Sequence, residues 1–244
     1  MTDPLAPIAA IPAVTDAAAA AQEALGKVHR HPANRREWGA AATESSLRGA
    51  RASAALDGGA VELSRDVAVQ DPVLAGAMRV AQALDGPQLD ATVGTWRRAP
   101  LQVLARLHTL AAADLVAAAD LLGRPRAGAG ERLSLLAQLV TGGTGVSAPI
   151  VAAVVHGELL SLRPFGVADG VVARAASRLV TVATGLDPHA LGIPETTWLK
   201  FADGYAGAVD AFGMGAEEGV VAWVTLCCSA LEAGAREALA IAER

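Results

Sequence analysis

The sequence predicts an all-α protein, a bundle of helices around a core of small and branched aliphatic side chains. Three observations carry that prediction. Hydrophobic residues make up 52% of the 244 and aromatic residues only 3%, so alanine, leucine and valine must fill the interior. Alanine is the strongest helix former, and the β-branched and aromatic residues that favour strands are sparse. Apolar positions three and four apart recur along the chain, with no βαβ rhythm and no internal repeat.

The elements follow in order. Residues 1–14 carry Pro4, Pro7 and Pro12 among small apolar residues and read as an extended lead-in. Thr15 or Asp16 is placed to cap a helix over residues 17–28, which His29, His31, Pro32 and Asn34 bring to an end. A second helix is expected over 36–56, with Gly58 and Gly59 after Asp57 supplying a left-handed C-terminal cap. A third covers about 72–84. Leu101, Leu104, Leu107, Leu110 and Leu115 predict a central helix over 101–122. The glycine-rich residues 123–130 form a connector, and a short helix covers 131–140. Ser147 is placed to cap a helix with Pro149 in its first turn, where proline is tolerated. Its Ile150, Val151, Val154, Val155, Leu159 and Leu162 bury most of its surface. The chain breaks at Pro164 and Gly166. It restarts near Asp169 as a helix to about Thr184, with Val172, Ala176, Leu179 and Val180 inward. Gly185, Pro188, Gly192 and Pro194 mark a loop before two last helices, about 195–212 and 216–243.

Composition excludes several classes. A net charge of -5 without a long run of one sign argues against a nucleic-acid face. The longest uncharged stretch, residues 133–157, is interrupted by glycines and by Pro149, so no membrane span is expected there. Asp3 stands where a signal peptide would carry basic residues. Cys227 and Cys228 are adjacent, which is unsuited to pairing with each other, and read as small apolar residues of a buried helix. Together these features predict a soluble, cytoplasmic protein.

One segment carries chemistry by resemblance. Residues 163–174 read RPFGVADGVVAR, between two predicted helices. The segment resembles the Fic family signature HPFx[D/E]GNGRxxR. The resemblance implies an all-helical Fic-like domain over residues 35–244, preceded by an N-terminal extension, residues 1–34, with one helix. In active members the loop is an anion cradle at a helix N-terminus, where backbone amides let nucleotide phosphates approach. The histidine is the general base, the carboxylate holds magnesium, and the central arginine neutralises phosphate. Of the nine fixed positions this chain keeps four, Pro164, Phe165, Gly170 and Arg174. Arg163 replaces the histidine, Val167 the metal carboxylate, Ala168 the first glycine, Asp169 the asparagine and Val171 the central arginine. An arginine cannot accept a proton near neutral pH, and valine offers no metal ligand. The resemblance therefore implies no catalytic residue, no metal, and no cofactor unless ATP and magnesium are used in a rearranged site. Ser53, Asp57 and Gly58 match the spacing of the family's inhibitory motif [S/T]xxxE[G/N], with Asp for Glu. A helix end with a glycine cap is the plainer use of the same residues. The family's substrate flap has no strand-like counterpart in residues 123–130.

Other polar residues have ordinary readings beside functional ones. His156, seven positions before Arg163, could stand in for the lost base, but a satisfied helix histidine is the commoner use; His108 is similar. His29 and His31, near Glu23 and Glu37, lack metal-ligand spacing. Arg174 and Arg178 lie one turn apart and with Arg163 could form an anion pocket; ion pairs with Asp169, Glu158 or Asp187 are the commoner outcome. The loop 141–145, Thr-Gly-Gly-Thr-Gly, lacks the GK[ST] ending of a phosphate loop. The function expected first is a catalytically degenerate Fic-fold protein that binds or regulates a protein partner: itself, another Fic-type chain or a different protein. The alternatives are an AMP- or nucleotidyl-transferase with a rearranged Fic site, and an unrelated all-α structural protein.

Overall fold

The computed structural model describes residues 3–60 and 70–243, and among them every regular element is helical. The helices are α1 (Ala6–Ala9), α2 (Pro12–Arg30), α3 (Pro32–Leu56), α4 (Pro72–Ala83), α5 (Gly86–Trp96), α6 (Pro100–Ala112), α7 (Gly130–Gln138), α8 (Ala148–Leu162), α9 (Asp169–Ala183), α10 (Pro194–Lys200), α11 (Ala202–Gly213) and α12 (Glu217–Ala242).

The antiparallel pair α8 and α9 forms the axis of the bundle. Helix α8 is apolar all round, the pattern of a helix buried on every side. Its Val151, Ala152, Val155 and Leu159 join a cluster with Trp96, Leu104, Leu107 and Leu179. Its Ile150, Ala153 and Val154 join a second cluster with Leu25, Trp198, Trp223 and Leu231. Helix α2 lies along α12, so residues before 35 build part of that second cluster. Helix α12 is long and apolar enough to cross a membrane by length and composition alone; here its inner face packs on α2, α8, α10 and α11.

Several boundaries differ from the sequence expectation. The lead-in is not extended: Ala6–Ala9 is helical and α2 begins at Pro12, where proline sits in the first turn and its missing N–H costs nothing. Neither Thr15 nor Asp16 caps it. The break after α2 is one residue, His31, and α3 continues through a kink at Glu37. The predicted helix over 101–122 stops at Ala112. The chain turns back along α6, and the Gly123 amide donates to His108 Nδ1 at 2.9 Å. Helix α5 was not expected, although Asp85 caps it through the Gly86 amide and Pro87 lies in its first turn. The penultimate predicted helix is two, α10 and α11, separated at Phe201. At the end of α3 the expected cap is present. The Gly59 amide donates to Ala54 and the Gly58 amide to Ala55, with Gly58 at φ 83, which is a Schellman closure.

Candidate functional site

The α8–α9 loop is built on left-handed backbone. Arg163 (φ 45), Gly166 (φ 90) and Ala168 (φ 54) all lie in the left-handed region. Ala168 therefore keeps the backbone a glycine would adopt freely. The expected tight turn between two helices is present, with α8 ending at Leu162 and α9 starting at Asp169. Ser147 stands at the α8 N-cap, but its hydroxyl makes no capping bond.

Phe165 is 8% exposed and holds the loop from beneath. Its ring stacks on His108 with centroids 4.1 Å apart and planes 5° from parallel. His108 is thus a packing residue fixed by the Gly123 amide, and burial lowers its pKa. Residues 123–130 are tied to the loop: the Arg126 amide donates to the Pro164 carbonyl at 2.7 Å, and its guanidinium caps the carbonyls of Leu162 and Arg163.

Two carboxylates of the chain occupy the amides at this helix start. Asp169 accepts the Phe165 amide at 2.9 Å and the Gly166 amide at 2.7 Å. Burial pushes its carboxyl above the ordinary range, against the pull of those two amides. Asp57, from the end of α3, accepts the Val171 amide at 3.1 Å and the Arg174 guanidinium at 2.5 Å. A methyl group on Gly170 would come within 2.1 Å of Asp57 Oδ1, so glycine is required for this approach. Arg174 is 2% exposed. Its Nε donates to Ser53 Oγ at 2.7 Å, its Nη2 to the Ser53 carbonyl at 2.9 Å and its Nη1 to Tyr205 Oη at 3.3 Å.

The structure therefore gathers Arg163, Pro164, Phe165, Asp169, Gly170 and Arg174 with Ser53 and Asp57, from helices more than a hundred residues apart in sequence. A cleft beside them is lined by Asp57, Arg163, Asp169, Gly170, Arg174 and Tyr205, among others. Around it, three positions of the resembled signature carry other side chains. Arg163 is exposed, Val167 is 40% exposed with no carboxylate, and Val171 is buried in the core.

The expected partners of the arginines are corrected. Arg174 pairs with Asp57 rather than Asp169, Glu158 or Asp187, because the α3 end packs over the α9 start. Arg178 pairs with Glu195 of α10 at 3.1 Å and caps the Ala190 carbonyl. Glu158 is taken by Arg132, and Asp187 by His29 and the Leu191 and Gly192 amides. Arg163, Arg174 and Arg178 thus do not form one anion pocket. His156 is a buried core histidine, hydrogen-bonded to Tyr205 Oη at 2.8 Å. The loop 141–145 does hold an anion, the chain's own Asp3: Thr144 Oγ1 donates at 2.8 Å and the Gly145 amide at 2.7 Å. No group of three or more potential metal ligands occurs among the described residues. Sequence reasoning missed Tyr205 and Arg126, since neither lies in a motif. Tyr205, the chain's single tyrosine, faces inward with Phe212 from a mostly exposed helix; that one polar aromatic was the available signal.

No family profile matches this chain, and no curated protein matches it. Among solved structures it is similar to a Fic family protein from Desulfovibrio desulfuricans G20, with a TM-score of 0.72 and 16% identity over 96% of this chain and 76% of that one. The likeness fixes the fold as Fic-like and all-α.

Proposed function

We propose that the chain is a catalytically degenerate Fic-fold protein that acts by binding or regulating a protein partner. The observation that carries this reading is the double self-occupation of the anion cradle. The amides of Phe165 and Gly166 are held by Asp169 and the amide of Val171 by Asp57. In active members of the family whose signature this loop resembles, such amides receive nucleotide phosphate. Here a phosphate would have to displace one carboxylate and lie beside another, in a partly desolvated site where like charges repel strongly. No general base or metal carboxylate faces the cleft from the positions where the family carries them. The partner is a protein surface: a second copy, another Fic-type chain or an unrelated protein.

One observation favours the alternative, a nucleotidyl-transferase with a rearranged site. Ser53 and Asp57 have the spacing of the inhibitory motif they resemble and hold Arg174 at the α9 start, and such a latch suits a site that opens. Incubation of the wild-type protein and Asp57→Ala with α-labelled ATP, magnesium and a host lysate separates the two readings. No transfer of label from either protein is expected. Robust labelling by Asp57→Ala would establish the enzyme reading instead.

A further inference from the structure

Arg174 is a buried cation of the cradle, and its partners fall into two groups. Ser53 and Asp57 both belong to the end of α3. Among the described residues, Tyr205 of α11 is the partner that does not. If an anion displaced Asp57 and the α3 end shifted with it, the bonds to Ser53 would be disturbed together with the bond to Asp57. The bond to Tyr205 would remain.

The direction of the hydrogen bonds beyond Tyr205 follows from satisfying each buried polar group. A guanidinium only donates, so Tyr205 Oη accepts from Arg174, and the arrangement that also gives the buried hydroxyl proton an acceptor sends it to His156 Nε2, 2.8 Å away. His156 must then carry its ring proton on Nδ1, which faces Cys227 Sγ at 3.9 Å. The imidazole is clamped by Trp198 and Trp223, with centroids 4.5 and 5.1 Å from its own. Burial, and then the Arg174 charge, hold His156 well below the usual imidazole range, which keeps it the neutral acceptor this chain of bonds needs. Burial likewise raises Tyr205 and Cys227, so both stay protonated.

We propose that Tyr205, seated on His156, is the positioning residue of this site: it fixes the Arg174 guanidinium at the α9 N-terminus independently of the α3 latch, so that the site keeps an oriented cation for an oxyanion when Asp57 leaves. The proposal rests on reading the α9 N-terminus as an anion cradle, and its test separates the two claims. Nuclear magnetic resonance of the whole ¹⁵N-labelled protein reads the positioning directly. In Asp57→Ala, Arg174 Nη signals are expected to stay distinct and His156 to show a bare Nε2 and a protonated Nδ1. In Asp57→Ala/Tyr205→Phe the two Nη1 protons should merge through rotation about the Cζ–Nη1 bond, while the Ser53 carbonyl still holds Nη2. Calorimetric titration with inorganic pyrophosphate then reads the consequence. Loss of a hydrogen bond that orients a charged group is expected to weaken binding about tenfold or more in the double variant. Should the double variant fail to fold, His156→Leu and His156→Gln in the Asp57→Ala background replace it. Leucine should reproduce the merging and the weaker binding, and glutamine, which can still accept from the hydroxyl, should restore distinct signals. Arg174 signals indifferent to both Tyr205→Phe and His156→Leu would overturn the positioning role. Equal pyrophosphate affinity with and without the Tyr205 hydroxyl would do the same. If Asp57→Ala takes up no pyrophosphate, the cradle reading fails, and the resonance result alone decides the role of Tyr205.

Discussion

Phe165 and Ala168 show how single residues keep the loop's shape after its chemistry has gone. Phe165 stacks on a buried histidine, and truncating such a ring leaves a cavity the stiff loop cannot fill. Phe165→Ala should lower unfolding stability by about 3–5 kcal/mol, measured by denaturant titration; a change within about half a kcal/mol, usual for surface sites, would mean the ring carries no load. Ala168 is strained at φ 54. Ala168→Gly should therefore be neutral or stabilising by up to about 1 kcal/mol, since left-handed backbone costs an alanine roughly that much while glycine adds unfolded-state entropy. A clear loss of stability would show the methyl group to be a packing residue. Gly170 makes the opposite case. Gly170→Ala should expel Asp57, so in a double-mutant cycle with Asp57→Ala the two losses should not add. Coupling of about 0.5–3 kcal/mol is usual for residues in contact, and strict additivity would contradict the close approach.

At the scale of elements, two buried aspartates pin loops at opposite ends of α9 and should respond to acid with opposite signs. Asp187 ties the α9–α10 loop to α2; burial works to raise its pKa, but His29 and the Gly192 and Leu191 amides outweigh this and lower it. A lowered native value means stability that is fully present above the ordinary aspartate range, near 4, and lost as pH falls through the native value. Asp169 is raised by burial, so the folded state binds its proton more readily than the unfolded chain. Its contribution is then gained as pH falls from the raised native value toward the ordinary one, and lost as pH rises through that window. Asp187→Asn should flatten the acid limb of a stability–pH profile, whereas Asp169→Asn should steepen it, because a compensating term is removed. The same sign for both substitutions would contradict the assigned environments.

For the whole molecule, the sequence made the fold class and the α8–α9 turn legible, because apolar periodicity and Pro164 with Gly166 state them locally. The pattern at Ser53, Asp57 and Gly58 was visible as spacing, but its contact with Arg174 depends on how α3 packs across α9, which no local pattern encodes. Helix α5 was legible and was overlooked: Asp85, Gly86 and Pro87 announce a start, and Leu89, Val93 and Trp96 fall on one buried face. The early stop of α6 was not legible, since no glycine or proline lies between Pro100 and Gly123 and the turn is fixed by contact with His108. The arginine pairs were misassigned for the same reason: Asp57 and Glu195 reach Arg174 and Arg178 only through tertiary packing.

Filling of the cradle by the chain's own carboxylates bears on nucleotide binding more directly than on activity. Restoring one group should not be enough. Arg163→His would return a base, typically worth about 10²–10⁴-fold, yet that gain acts only on a nucleotide already held in line. Calorimetric titration of the wild-type protein with ATP, with and without magnesium, is the measurement that decides. No saturable heat is expected at micromolar concentrations in either condition. Micromolar affinity that depends on magnesium would contradict it, because Asp57 and Asp169 would then have to yield the α9 amides to phosphate.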